Sequence, residues 1–216
     1  MKLALKHVLA AVLLVLNLIA PATADPFGHA SAAYERGDYT AAINLFLGLM
    51  YERQINTEAV EWRRLAAEGN AAAEFVLGLM YDDGKGDLLQ NNTEAVKWYR
   101  LAADQGFALA QCWLGIMYDA GKGVPQDYAE AAKWFRLAAD QGFGMAQYDI
   151  GYMYAFGQGV ERNYVVAHMW FNLSAARGDE KAAELRDQVA RYMTPAQIAD
   201  AQKLARQWEP TTQPPR

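Results

Sequence analysis

The chain has 216 residues, of which 53% are hydrophobic and 21% charged, and its formal net charge at pH 7 is −5. This composition is typical of one soluble globular domain with enough apolar residues for an extended core, and it excludes a largely disordered chain. The acidic balance argues against nucleic acids and anionic membrane surfaces as partners, because binding to either needs concentrated basic residues.

Residues 1–24 have the pattern of a signal peptide. Two lysines and a histidine precede a short apolar run at residues 8–20, and the Pro-Ala-Thr-Ala sequence that follows fits cleavage after Ala24. We therefore expect the cleaved protein to be periplasmic or secreted and not attached to a membrane. The alternative is that residues 1–24 are not cleaved and anchor the chain in the membrane. Cleavage removes two lysines and no acidic residue, so the formal charge moves from −5 to −7.

A repeat of 36 residues organises most of the remaining chain. The sequence Glu-Ala-Val-Lys-Trp at residues 94–98 recurs 36 positions later as Glu-Ala-Ala-Lys-Trp, and Leu-Ala-Ala and then Gly follow both copies. The other half of each unit contains Leu-Gly-x-Met-Tyr or a close variant, followed by Gly-x-Gly, at residues 77–86, 114–123 and 150–159. Two apolar segments of helical length joined by a glycine-bearing turn predict one helical hairpin per unit.

One stripe of the first helix in each unit is shared between repeats. It comprises Ala110, Leu114, Gly115 and Tyr118 in one unit and Ala146, Ile150, Gly151 and Tyr154 in the next. We expect this stripe to face the core, and the mid-helix glycine to permit close approach of a neighbouring helix, since Gly otherwise costs about 1 kcal/mol against Ala. The repeated tryptophans, Trp98, Trp134 and Trp170, are expected to fill the gaps between hairpins.

The turn glycines are expected to cap the preceding helices in the left-handed conformation. A phosphate-binding loop is the alternative, but the Gly-x-Gly turn follows a helix, recurs in every unit and lacks the Lys-Ser or Lys-Thr step of such loops.

Residues of the usual catalytic types are scarce after the signal segment. They are His29, His168, Cys112, Ser31 and Ser174, and neither serine lies in a Gly-x-Ser-x-Gly motif. Cys112, which is the single cysteine, aligns with Phe75 and Tyr148 of the neighbouring units, and this predicts a buried filler. We predict no catalytic residue, no cofactor and no metal site, with weak surface binding of calcium as the alternative.

The repeat pattern resembles the Sel-one-like repeat (SLR) family, relatives of the tetratricopeptide repeat. The residues that carry the resemblance are Ala110-Gln111, Leu114-Gly115, Tyr118, Gly121-Lys122-Gly123-Val124, Ala131, Trp134, Ala138-Ala139 and Gly142. The resemblance implies an all-α fold, a right-handed α-α superhelical solenoid of helix-turn-helix repeats. It also implies a monomeric protein-protein interaction scaffold or adaptor.

The predicted repeats span residues 53–178, and the best units cover 70–106, 107–142 and 143–178. Residues 25–52 resemble a tetratricopeptide-like amino-terminal cap followed by a degenerate repeat start. Residues 179–209 are predicted to form capping helices, because Thr194-Pro195 supplies an N-cap and a first-turn proline for the last of them, and residues 210–216 to form a flexible tail.

A second stripe on the first helices differs between units and is the candidate binding face. In successive units it comprises Ala72, Val76, Leu79 and Asp83; Leu109, Trp113, Ile116 and Ala120; and Met145, Asp149, Tyr152 and Phe156. In tetratricopeptide-like solenoids this stripe lines the concave groove, where a protein or peptide partner would lie. The candidate contacts are Val76, Leu79, Asp83, Trp113, Ile116, Asp149, Tyr152 and Phe156. The alternative is that some of them pack against the following helix or the terminal cap.

Two other functions remain open from the sequence. Some relatives in the SLR family have been linked to cell-wall or β-lactam chemistry, which implies an envelope enzyme or regulatory subunit acting on peptidoglycan. This chain lacks the paired cysteines of those relatives, so catalysis of glycoside cleavage would require a pair of carboxylates. A glycan-binding module that uses stacked Trp and Tyr without chemistry is the other alternative.

Overall fold

The computed structural model of the chain describes residues 59–84 and 88–211. Over those residues the chain forms nine α-helices and no β-strand, which confirms the predicted all-α class. The helices are α1 (Ala59–Ala67), α2 (Ala71–Asp83), α3 (Asn92–Asp104), α4 (Ala108–Ala120), α5 (Tyr128–Asp140), α6 (Gly144–Phe156), α7 (Tyr164–Ala175), α8 (Glu180–Ala190) and α9 (Pro195–Gln207).

The chain divides into two compact units, Met1–Gln105 and Gly106–Arg216. In the described part of the first unit, α2 packs against α1 and α3. In the second unit each helix from α4 to α8 packs against the next, and α9 packs against α7. Each consecutive pair α2–α3, α4–α5 and α6–α7 is therefore a helical hairpin, as the repeat pattern predicts.

The turn inside each hairpin is built by a glycine and a polar cap. Gly121, for example, ends α4 in the left-handed conformation at a φ of 65°, and its backbone N–H donates to the carbonyl of Met117. Asp127 then begins α5, because its carboxylate accepts hydrogen bonds from two backbone N–H groups of the first turn. Gly84 and Gly157 have the same role, so the prediction of left-handed C-caps is confirmed.

The mid-helix glycines lie against aromatic rings of the second helices. A Cβ atom on Gly115 would lie 2.7 Å from the ring of Phe135, and Gly78 and Gly151 face the rings of Tyr99 and Phe171 in the same way. The expectation that these glycines permit close helix approach is therefore confirmed.

The aromatic residue that fills each of these spaces inside a hairpin is not one of the repeated tryptophans, for which we predicted a place between hairpins. It is the residue that follows each repeated tryptophan, and Trp98 and Trp134 are only partly buried. Trp170 is the exception, because it is fully buried. The sequence periodicity places both aromatic positions on adjacent parts of the helix, and only the helix crossing decides which one meets the glycine.

The core stripe lies where the periodicity placed it. Ala110, Leu114, Ala146 and Ile150 are all buried, and the tyrosines of the stripe are partly buried. The capping helices are also present: Asp179 caps α8, and Thr194 forms a capping box with Gln197 at the start of α9. The Trp208 ring follows α9 and packs edge-on against Trp170 with ring centroids 6.1 Å apart.

Several predictions fall on residues outside the described ranges. These are the signal peptide at residues 1–24, the amino-terminal cap and repeat start at 25–52, residues 85–87 of the turn that follows Gly84, and the tail at 212–216. In the described part of the predicted flexible tail, the Thr211 N–H donates to the Asp140 carbonyl at 2.7 Å, so this part is bound to the second unit. No helix in the described part of the chain combines the length and apolarity needed to cross a membrane.

Candidate functional site

The most exposed part of the predicted binding stripe lies on α6. Met145, Asp149, Tyr152 and Phe156 are spaced by four, three and four residues, and so they share one side of this helix. Met145, Tyr152 and Phe156 are 38%, 36% and 56% exposed, and the rings of Tyr152 and Phe156 have centroids 4.3 Å apart. We call these four residues the α6 face.

The neighbouring helix α4 meets the α6 face through Cys112. The Cys112 side chain is fully buried, and its thiol donates a long hydrogen bond of 4.0 Å to a carboxylate oxygen of Asp149. The prediction that Cys112 is a buried filler is therefore confirmed, and burial raises the pKa of its thiol, which disfavours the nucleophilic thiolate. Trp113 and Ile116, the predicted contacts on α4, are partly buried.

Asp149 is the most perturbed carboxyl group of this region. Burial raises its pKa to about 7, and the negative charges of Asp119 on α4 and Asp179 before α8 contribute in the same direction. Burial also raises the pKa of Asp119 above its usual value. Within residues 59–84 and 88–211, no Lys, Arg or His side chain forms an ion pair with Asp119 or Asp149.

Asp119 is a residue of this site that sequence reasoning missed. The prediction followed the stripe on α4 from Ile116 to Ala120, whereas Asp119 lies three residues after Ile116 and one helical turn along. A spacing of three is as compatible with a shared helix face as a spacing of four. The sequence signal was therefore present, and only the approach of α4 to α6 distinguishes the two positions.

The predicted contacts in the first unit differ in accessibility. Asp83 is exposed at the end of α2 and Leu79 is partly buried, but Val76 is only 1% exposed. Val76 belongs to a core cluster with Trp62 and Leu77. Val76 is therefore a core residue in this unit, as the packing alternative expects.

The catalytic-type residues of the described helices are engaged in packing. Ser174 is buried, and its hydroxyl donates to the carbonyl of Gly144 at 3.0 Å and contacts Asp179 at 3.2 Å. His168 is buried between α7 and α8, and burial, with a smaller effect from Arg186, lowers its pKa. No group of three or more His, Cys, Asp or Glu side chains is arranged to hold a metal ion in the part of the chain that the structure describes.

The helices and their exposed face define a class of protein: an all-α solenoid of helical hairpins. A family model described as the Sel1 repeat matches the chain at residues 30–70, 71–107, 108–143 and 144–179. The chain belongs to the Sel1 repeat family. Proteins of this family are generally helical scaffolds for protein interactions and are generally non-catalytic. The first matched repeat includes residues for which we predicted a cap and a degenerate repeat start, and the other repeats begin one residue later than predicted.

Two solved structures are similar to this chain. The crystal structure of a Sel1 repeat protein from Oxalobacter formigenes has 39% sequence identity and a TM-score of 0.56, and the match covers 59% of this chain and 96% of that one. The protective antigen c5321, present in uropathogenic Escherichia coli strains and displaying an SLR fold, has 28% identity and a TM-score of 0.53. That match covers 83% of this chain but 47% of the antigen. None of the curated proteins compared with the chain matches it.

Proposed function

We propose that this chain is a non-catalytic scaffold that holds a protein or peptide on the α6 face and the adjoining side of α4. The observation that carries the proposal is the exposed pair of rings, Tyr152 and Phe156, on a helix whose opposite side is core. Large aromatic side chains that are accessible before binding supply most of the energy of many interfaces. Membership of a family of interaction scaffolds supports the same assignment.

The contrast between repeats also supports this face as the contact surface. The core positions are nearly identical in successive units, because each hairpin has to pack on the next. The positions of the α6 face differ instead: Tyr152 replaces Ile116 and Leu79, and Phe156 replaces Ala120 and Asp83. Packing alone gives no reason for a Phe that is 56% exposed at the end of α6.

We also propose that the protein works in the periplasm or outside the cell, and this part rests on the pattern of residues 1–24 alone. Mass spectrometry of the protein recovered from the periplasm and from the medium tests it. The expected product begins at Asp25. Recovery of a chain that retains residues 1–24 in the membrane fraction would favour the uncleaved anchor.

The binding proposal is tested by chemical crosslinking and recovery from periplasm or medium. We compare the wild type with a Tyr152→Ala, Phe156→Ala double variant, and with Leu204→Ala as a control that removes an exposed apolar side chain from α9. One partner should be recovered by the wild type and by the control but not by the double variant at an unchanged melting temperature. Equal recovery by all three proteins would show that the α6 face is not the contact surface.

Cell-wall hydrolysis is the second candidate, and Asp149 is the observation that favours it. A carboxyl group with a pKa of about 7 beside a second acidic residue has the properties of a general acid. Incubating the purified chain with peptidoglycan fragments, followed by chromatography, separates the two functions. The scaffold proposal expects no product, whereas turnover that Asp149→Asn abolishes would replace it. Saturable binding of the fragments without products would instead indicate a glycan-binding module.

A further inference from the structure

We propose that the partner presents a Lys or Arg side chain to Asp119 and Asp149, with apolar neighbours that lie on Tyr152 and Phe156. This inference rests on the proposed function and names the chemistry of its partner. The occupant is a basic residue within an apolar stretch of peptide, bound where α4 meets α6 in the second unit.

Negative charge accumulates around Asp149 without a compensating cation from the described residues. Asp149 is partly buried, its side chain contacts the thiol of Cys112, and both Asp119 and Asp179 add negative charge around it. Neither Asp119 nor Asp149 has a cationic partner among the residues that the structure describes. A partly desolvated carboxylate without a counter-charge is unfavourable, and a cation from a partner would relieve it.

An exposed aromatic surface lies beside Asp149 on α6. Tyr152 lies three residues after Asp149 on the same side of α6, and Phe156 follows one turn later. A cation held over an aromatic ring gains from the charge distribution of the ring as well as from the carboxylates. Elsewhere in this unit the rings of Tyr164 and Trp208 have guanidinium groups over them, from Arg162 and Arg177, but no cation from the described chain lies over Tyr152 or Phe156.

The arrangement of the carboxylates favours an ammonium or guanidinium group over a metal ion. The carboxylates of this region do not form a group of three that could ligate a metal ion, as judged over the described residues. An ammonium or guanidinium group needs no such cluster, because it can donate to two separated carboxylates through different N–H groups. The net charge of the chain, −5, adds a general attraction for basic partners.

The pH dependence of binding follows from the same geometry. The basic side chain would bind the ionised form of Asp149, whereas that carboxyl group is largely protonated below a pH of about 7 in the free protein. Binding therefore releases a proton, and affinity should rise as the pH increases from 6 to 8. Below the pKa, each pH unit can change the dissociation constant by up to about tenfold.

A random dodecapeptide library displayed on phage, selected on the purified full chain, tests the inference. The expected peptides carry Lys or Arg next to aromatic or aliphatic residues. The best peptide is then synthesised and titrated against the wild type at pH 6 and pH 8. A second peptide that contains norleucine in place of the Lys, or citrulline in place of the Arg, should bind at least about tenfold more weakly.

The protein variants are Asp149→Asn and Asp119→Asn, with Asp200→Asn on α9 as the control that changes the net charge equally at an exposed position. Asp149→Asn should weaken binding at pH 8 by at least about tenfold and remove the pH dependence. Asp119→Asn should weaken it in the same direction, and the control should bind as the wild type does.

Two unfavourable outcomes are distinguishable. If selected peptides bind and the Tyr152→Ala, Phe156→Ala double variant abolishes that binding, but the basic residue and Asp149 make no difference, then the cation inference is wrong and the proposed function stands. If no peptide is enriched, or if binding is insensitive to the aromatic substitutions, then both the inference and the proposed function are overturned.

Discussion

Gly115 sets the distance between α4 and α5, because its missing Cβ is the space that the Phe135 ring occupies. We expect Gly115→Ala to lower the free energy of unfolding by about 1 to 3 kcal/mol, since overpacking outweighs the gain of about 1 kcal/mol in helix propensity. Urea unfolding of the purified variant measures this difference.

The Gly115→Ala, Phe135→Leu double variant is the control for that prediction. If the clash with the ring is the cause, then the double variant should be more stable than the sum of the two single changes indicates. A stabilisation of about 1 kcal/mol by Gly115→Ala alone would show that the ring moves without cost and that the close approach is not required.

Asp149 has an effect on stability that is separate from binding. Its folded-state pKa of about 7 lies above the value in an unfolded chain, so stability is lost as the pH rises from about 4 to 7. Asp149→Asn should therefore raise the free energy of unfolding by on the order of 2 kcal/mol at pH 8, with a smaller gain at pH 5. Urea unfolding at pH 5 and pH 8 measures this change in the free energy of unfolding, with Asp200→Asn as the matched control. A gain of equal size at both pH values would contradict the assignment.

At the scale of the helices, His168 is a buried residue of α7 that is affected by the charges of Arg186 and Asp187 on the capping helix α8. The equivalent positions of the preceding hairpins are the buried residues Val96 and Ala132. Burial and Arg186 on α8 lower the pKa of His168, Asp187 opposes this effect, and the Nδ1 atom has no hydrogen-bond partner among the described residues. Burial therefore favours the neutral form of the imidazole.

This environment predicts a loss of stability in acid. The unfolded chain takes up a proton on His168 at a higher pH than the folded chain does, so stability falls as the pH decreases through about 6.5. The loss between pH 7 and pH 5 should be smaller in His168→Gln than in the wild type, as measured by urea unfolding at both pH values. Identical losses in the two proteins would mean that His168 is protonated in the folded state.

At the scale of the molecule, a solenoid is stabilised by contacts between neighbouring hairpins, so an uncovered end is its weakest part. In the second unit α9 covers α7, and the Trp208 ring packs on Trp170. A chain that ends after Met193 should therefore show lower hydrogen-exchange protection, by roughly tenfold or more, in α7 than the full chain. Hydrogen-exchange protection in α4 should fall less than in α7. The helices α4 to α7 pack one against the next, so α4 is separated from the uncovered end by α5 and α6.

A chain that ends after Thr211 retains α9 and the hydrogen bond from the Thr211 N–H to the Asp140 carbonyl, and it is the control for this truncation. It should exchange as the full chain does. Equal loss of protection in α4 and α7 after removal of α9 would show that this unit unfolds as a single cooperative body and not from its open end.

The features that can be predicted from the amino-acid sequence are local and repeated. The 36-residue period defines the hairpins, Gly121 and its equivalents end the first helices, and the spacing of Leu114 and Ile150 identifies the core side. Each depends on backbone conformation or on helical periodicity within a few residues, and recurrence in several units makes the signal unambiguous.

The contacts between side chains of different helices depend on how the helices pack and cannot be predicted from the repeat pattern. Phe135 and not Trp134 lies on Gly115, Val76 is buried, and Asp149 meets Cys112 at a separation of 37 residues. A hydrophobic pattern specifies which side of a helix is buried, but it does not specify how two helices cross, and that crossing decides which neighbouring residue makes the contact. The surface formed by Asp119, Asp149, Tyr152 and Phe156 can therefore be identified only once the packing of the hairpins is known.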